Sequence, residues 1–195
     1  MSDIKHTKII GANPANGRSE LDFYPTPPEA TFALLNFLNI PTDKTIWEPA
    51  CGEMDMVNAI KSRGYSVIAT DIALGQDFLT EPLPACDWII TNPPFRVSDK
   101  FILRCAEHGK PFALLLKSQY WHAKKRYKLF EKIRPSVVCP LTWRPDFQFK
   151  KHETRRSPMM DVQWCIWYPP YNTHTVFFPM NKETTQETSN ENNQN

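Results

Sequence analysis

Four acidic or amide side chains stand where apolar runs end or turn. Glu48 follows Ile46-Trp47, Asp71 follows Val67 to Thr70, Asp77 lies in Gly75-Gln76-Asp77-Phe78-Leu79, and Asn92 follows Trp88 to Thr91. In an open α/β sheet, ligands bind beyond the carboxyl ends of the strands, so these positions form one candidate site. Each residue type suits a task there. Asp71, just past a strand, can accept hydrogen bonds from two adjacent hydroxyls, the role an acid plays in dinucleotide folds. Gly52, in Glu48-Pro49-Ala50-Cys51-Gly52, leaves room for backbone to approach a ligand. Asp77 and Phe78 offer an acceptor beside a ring, with a turn aspartate before a core phenylalanine as the competing reading. Asn92-Pro93-Pro94-Phe95 is the most specific signal. Two successive prolines fix the backbone and remove two donors. The Asn92 side-chain oxygen and the Pro93 carbonyl are then acceptors facing a pocket.

These residues need strands and helices to hold them. Thr26-Pro27-Pro28-Glu29 has the pattern of a helix start. Thr26 is the expected N-cap, a proline takes the first helical position and Glu29 completes a capping box. An apolar stripe then runs to about Leu38. Strands are predicted over 44–47, 65–70, 87–91, 111–116, 136–139, 163–167 and 173–178. Helices are predicted over 55–63 (ended by Gly64), 98–108 and 121–133, the last strongly basic. Strands alternating with helices imply a mostly parallel sheet covered on both faces. The last two strands, close in sequence, predict an antiparallel hairpin at one edge.

Composition narrows the classes. The chain of 195 residues has the length of one domain. No apolar run approaches the ~20 residues of a membrane span, and the N-terminus lacks the apolar core of a signal peptide, so no membrane partner is expected. Five cysteines without a CxxC pair give neither zinc spacing nor a disulfide framework, which predicts no metal and a reducing cytoplasm. Residues 1–20 read as a polar arm, 21–180 as the folded domain and 181–195 as a tail too polar to fold. The formal charge is +2, yet the stretch from Arg96 to Arg156 holds 16 basic and 5 acidic residues. Lys124, Lys125, Arg126 and Lys128 fall on the predicted basic helix. Arg144, Lys150, Lys151, Arg155 and Arg156 follow in a later segment. Trp121, His122, Tyr127 and Phe147 are interleaved. Such a cluster suits phosphate contact and base stacking.

Asn92-Pro93-Pro94-Phe95 resembles the signature of S-adenosylmethionine-dependent amino-group methyltransferases, above all the DNA adenine-N6 enzymes. Glu48 to Gly52 resembles their first cofactor motif. Asp22-Phe23-Tyr24-Pro25-Thr26-Pro27 resembles the segment before it in compact, phage-type members. With Trp143 to Phe147 and Trp164 to Trp167, the resemblance covers roughly Asp22 to Phe178. It implies a class I methyltransferase Rossmann-like fold: a seven-stranded, mostly parallel sheet with an antiparallel edge hairpin and helices on both faces. It implies S-adenosylmethionine as cofactor, held by Tyr24, Pro25, Thr26, Glu48, Ala50, Gly52, Asp71, Asp77, Phe78 and Asn92. Glu48 is expected at the amino-acid end, Asp71 at the ribose, and Asp77 with Phe78 at the adenine. Asn92, Pro93, Pro94 and Phe95 are the expected catalytic residues, with Phe95 stacking on a flipped adenine of DNA.

RNA adenine, protein glutamine and a catalytically degenerate nucleic-acid-binding protein stay open beside this reading. Met54 is the main departure, because it stands where the family usually has a second glycine. A long side chain there can clash with the cofactor or pack on it. Residues 142–160 are the expected target-contact insertion, and their shortness predicts loose or very short sequence specificity.

Overall fold

Phe112 to Leu116 is an unbroken apolar run, and a strand of that kind must be covered on both faces. In the computed structural model these five residues are buried. The structure describes residues 24–148, 158, 160–171 and 174–182. In chain order these form α1 (Pro28–Leu38), β1 (Thr45–Glu48), α2 (Asp55–Ser62), β2 (Ser66–Ala69), β3 (Trp88–Thr91) and α3 (Ser98–His108). There follow β4 (Phe112–Lys117), α4 (Tyr127–Lys132), β5 (Val137–Pro140), β6 (Val162–Trp167) and β7 (Val176–Phe177). One seven-stranded sheet has the order β2-β1-β3-β4-β6-β5-β7. β1 to β4 run parallel, β6 runs antiparallel to β4 and β5, and β7 runs parallel to β5.

Alternate strand residues feed two cores. On one face Ile46, Ile90, Leu115, Trp164 and Ile166 pack with α1 and α2 through Leu34, Leu35, Met56 and Ile60. On the other, Trp47, Ile89, Leu114 and Trp167 pack with α3 through Phe101, Ile102 and Cys105, and Leu129 of α4 leans on this cluster. Helices therefore cover both faces. Gly64 and Gly109, at φ +87° and +73°, close α2 and α3 in the left-handed backbone that glycine adopts without steric cost. All five cysteines are buried and free, in accord with the absent disulfide framework.

Three expectations fail, each for a tertiary reason. First, β6 and β7 do not form a hairpin. All six residues of β6 are buried, so it sits inside the sheet between β4 and β5. The two exposed residues of β7 take the edge beside β5. Second, α1 starts at Pro28 with Pro27 as its N-cap, and no side chain caps it. The Thr26 hydroxyl is used elsewhere, as described below. Third, the basic helix predicted over 121–133 is broken into 3₁₀ turns at Ser118–Trp121 and Lys124–Arg126, followed by the short α4. Trp121 packs against Tyr120 and Phe130, with ring centroids 4.8 and 5.2 Å away. The Arg126 guanidinium lies 3.9 Å from the Tyr120 ring centre. These contacts outweigh helix propensity in a charged segment.

Trp164 ties the sheet to α1. Its ring is fully buried, and its Nε1 donates to the Ala30 carbonyl at 2.8 Å. Trp164→Phe removes that donor and part of the ring. It should lower unfolding free energy by about 2 kcal/mol, read from the midpoint of urea denaturation. An unchanged midpoint would show that this bond does not anchor α1.

Candidate active site

β1 pairs with β2 on one side and β3 on the other. The chains leaving these strands diverge, which opens a crevice at their carboxyl ends. A cavity of about 350 Å³ lies there, within the size range of small-molecule sites. Its walls come from the segment before α1, the loop after β1, the turn after β2 and the end of β3.

Glu48, the last residue of β1, is 1% exposed and lines the cavity. Its Oε1 accepts from the Ala50 backbone N–H at 3.0 Å and from the Thr91 hydroxyl at 2.5 Å. Its Oε2 is buried with no hydrogen-bond partner. Burial pushes the carboxyl up to about 8; the two hydrogen bonds oppose this and Asp71 adds to it. At neutral pH the group therefore holds its proton. Burial, with Asp71 and Glu48 nearby, also pushes the Cys51 thiol up to about 11.

Asp71 joins two walls. Its Oδ2 accepts from Gly52 N–H at 2.9 Å and its Oδ1 from Ala73 N–H at 2.8 Å. The loop after β1 is pinned again where Cys51 N–H donates to the Thr70 carbonyl at 3.0 Å. Gly52 takes φ +48°, a conformation suited to glycine. Met54 takes φ +69° and precedes α2 as its N-cap. The backbone thus keeps a glycine-like conformation at the departure, with a longer side chain on it. Met54 is not a lining residue of the cavity, whereas Met56 is.

Asn92 closes the far end. Its Nδ2 donates to the Tyr24 carbonyl and to Thr26 Oγ1, both at 3.0 Å. A carbonyl can only accept, so these bonds fix which way the amide points. The Asn92 Oδ1 is left buried with no partner. Pro93 lines the cavity beside it. Phe95 already has neighbours: the Tyr24 ring at 5.6 Å and the Lys117 ammonium at 4.6 Å from its centre.

Of the expected cofactor residues, Tyr24, Pro25, Thr26, Glu48, Ala50, Gly52, Asp71 and Asn92 meet at this cavity. Asp77 and Phe78 do not. Asp77 Oδ1 caps its own turn at Leu79 N–H, 3.0 Å away. Phe78 is 3% exposed and packs between Trp47 and Phe101, 5.2 and 4.5 Å from its centroid. The turn-and-core reading applies to both, because the core gains more from a buried ring than a ligand would. The cavity adds residues that motif reading missed: Ile72, Glu53, Asp55 and, behind Glu48, Thr91. Ile72 is 71% exposed. Its signal was an apolar residue directly after a strand-end acid. Among the described lining residues four are carboxylic acids and none is Lys, Arg or His.

The basic residues divide. Lys124 and Lys128 are exposed. Lys125 lies 3.7 Å from Asp99, and Arg126 is 3.6 Å from the same carboxylate and stacked on Tyr120. Arg126 is therefore a structural residue, held by packing rather than offered to a phosphate. Arg144 is paired with Asp161 at 2.7 Å. Phe147 is buried in the core against Tyr24 and cannot stack on a base. Lys150, Lys151, Arg155 and Arg156 lie outside the described residues. Among the described residues no group of three His, Cys, Asp or Glu can hold a metal ion. None of their helices is long and apolar enough to cross a membrane.

No family model and no curated protein sequence matches the chain. Solved structures do resemble it. A protein of Listeria monocytogenes, provisionally assigned as a class I S-adenosylmethionine-dependent methyltransferase, aligns at TM-score 0.57 and 12% identity over 85% of this chain and 68% of its own. A provisionally assigned RNA methyltransferase of Pyrococcus horikoshii aligns at 0.56 and 14%, over 77% of this chain and 89% of its own. A type I restriction-modification methyltransferase subunit of Streptococcus thermophilus aligns at 0.53 and 14%, over 81% of this chain and 47% of its own. The chain therefore spans about half the length of that subunit. At these identities the likeness establishes the fold, which is the class I methyltransferase Rossmann-like fold.

The loop geometry yields a test on Met54. A left-handed conformation costs a residue with a Cβ about 1 kcal/mol. Met54→Gly should hold or raise the melting temperature. Met54→Val, β-branched at the same φ, should lower stability by more than about 1 kcal/mol. The reverse order in thermal denaturation would place the strain elsewhere.

Proposed function

We propose that this chain transfers a methyl group from S-adenosylmethionine to the N6 amine of adenine in DNA. One observation carries the reading. A cavity whose described lining holds four acids and no base includes an asparagine whose buried side-chain oxygen has no partner. Acid walls without a basic side chain favour a cationic ligand, and S-adenosylmethionine is cationic at its sulfonium and its ammonium. When bound it supplies a methyl group on sulfur that an amine can attack.

The fit rests on residues already in place. Asp71 and Ile72 stand together at one end, an acceptor for hydroxyls beside an exposed apolar surface for a flat base. Glu48 offers Oε2 as an acceptor for an ammonium. Tyr24, Pro25 and Thr26 wall the side toward Asn92. This arrangement supports a cofactor whose reacting end faces the acceptor loop.

Asn92 Oδ1 and the Pro93 carbonyl then do the work on the second substrate. An exocyclic adenine amine is a weak nucleophile because its lone pair is shared with the ring. Two acceptors on its N–H groups favour a more tetrahedral nitrogen and stabilise the positive charge that grows there as it attacks. Preorganised acceptors act most strongly where charge develops, and holding the nitrogen in line with the methyl supplies much of the rest. Phe95 can receive the base only if Lys117 leaves its ring. Lys124 and Lys128, both exposed, suit phosphate contact, which favours nucleic acid over a protein acceptor. The restriction-modification likeness adds support for DNA, and the 142–160 segment remains the candidate for target contact.

The test uses purified protein, labelled cofactor and three acceptors: adenine-containing DNA, RNA and protein. Label should pass to DNA and map to adenine N6. Asn92→Ala should cut transfer by about 10²-fold or more and change cofactor affinity only a few-fold. Transfer to RNA alone would move the proposal to RNA. Wild-type transfer by Asn92→Ala would remove this residue from the chemistry. DNA retention without any transfer would mean a binding protein.

Salt gives a second measurement. DNA affinity should fall steeply as salt rises, and Lys124→Ala with Lys128→Ala should flatten that slope. A salt-independent affinity would take the basic segment out of the interface.

A further inference from the structure

The bond between Thr91 and Glu48 joins the two halves of the proposed site. Thr91 is fully buried at the end of β3, directly before Asn92, and its hydroxyl donates to Glu48 at the end of β1. The Ala50 N–H binds the same Oε1. Two donors thus hold one oxygen of the carboxyl, while the other lies buried and unpartnered on a residue that lines the cavity. Among the described lining residues no cation balances it. The groups that face Glu48 are Asp71 after β2, Cys51 in its own loop and Cys105 from α3. Glu53 and Asp55 line the same cavity. None of these brings positive charge.

Resting on the cofactor reading above, we propose that Thr91 is a positioning residue that orients Glu48 for a cationic cofactor, and that cofactor binding drives the proton of Glu48 into solvent. Unpartnered Oε2 is the atom that carries the proton in the free protein. An ammonium in the cavity supplies both the missing hydrogen bond and the missing positive charge, so the carboxylate form becomes the favoured one. The proton leaves to buffer and the ammonium keeps its own. Through Thr91 the same event acts on the strand end that carries Asn92, so cofactor occupancy and the setting of the acceptor loop are mechanically linked.

The sign of the pH dependence follows from linkage. Free protein holds this proton up to about pH 8, whereas the complex does not. Relative to Glu48→Gln, which shares the titration of the ligand's ammonium, affinity should therefore rise with pH until about 8 and then level off. The Thr91 hydroxyl bond helps Glu48 ionise. Losing it should move that rise to higher pH, whereas a merely structural role would lower affinity equally at every pH.

Isothermal titration of the full chain with S-adenosylmethionine, in two buffers of different ionisation enthalpy, counts the protons released. Glu48→Gln serves as the baseline, since it keeps the ligand's own titration and lacks this one. At pH 7 the wild type should release about one proton more than Glu48→Gln. Thr91→Val should shift the affinity profile to higher pH, and Thr91→Ser should restore it. Binding with no excess proton release, or a Thr91→Val profile lowered evenly across pH, overturns this inference and leaves the cofactor reading standing. Failure to bind S-adenosylmethionine at any pH overturns the cofactor reading and this inference with it.

Discussion

A carboxyl taken out of water must keep its proton or find donors for its oxygens, and Glu48 does both. The mouth of the sheet is built around that requirement. Ala50 and Thr91 supply the donors, one from the loop after β1 and one from β3. The bond to Ala50 bends the chain into the loop that carries Cys51 and Gly52. From there Asp71 takes the Gly52 N–H and ties in the turn after β2. Glu48 thus ties the end of β1 to β3, and Asp71 ties the turn after β2 to the loop after β1. The cavity is what remains between them.

Asn92 shows how the site competes with local folding rules. Thr26 has the sequence context of an N-cap, worth about 1 kcal/mol to a helix. The structure spends the hydroxyl on the Asn92 amide instead and starts α1 one residue late, at a proline that has no N–H to satisfy. The proline lowers what the helix loses. In return Asn92 is held by two bonds on its nitrogen, and its oxygen is fixed and bare. A local rule broken beside an unsatisfied acceptor is the usual mark of a functional site.

Much of this was legible in the sequence. Strand runs such as Trp88 to Thr91 and Phe112 to Leu116 read correctly because buried parallel strands are continuously apolar. The bounds of α3 were readable from its helical spacing. Eight of the ten expected cofactor residues meet at one cavity, because strand ends in such a sheet converge on the switch point. What failed depended on contacts far apart in sequence. Nothing local tells that β6 enters the sheet between β4 and β5, or that Arg126 stacks on Tyr120 just before α4. Asp77-Phe78 and Phe147 misled for the same reason: an aromatic ring beside a polar residue looks alike whether it meets a ligand or the core. Thr91 escaped notice because a threonine at a strand end has many uses, and only its neighbour on β1 reveals this one.

Met54 and the charge pattern now fit one account. The glycine usually found at that position of the family's motif is a backbone requirement before it is a ligand requirement. This chain adopts φ +69° at Met54, and Met54 is not among the residues that line the cavity. That positive φ carries local strain, which the surrounding bonds at Cys51, Gly52 and Asn58 hold in place. Charge is divided in the same way. Acids gather where three strands end, and the exposed Lys124 and Lys128 lie beyond Asn92 in sequence and do not line that cavity. Were both signs mixed in the cavity, Glu48 would be ionised by a neighbouring lysine and would hold no proton to exchange. Among the described lining residues no basic side chain compensates the buried acid, which is the electrostatic ground of the proposal that a cation binds there.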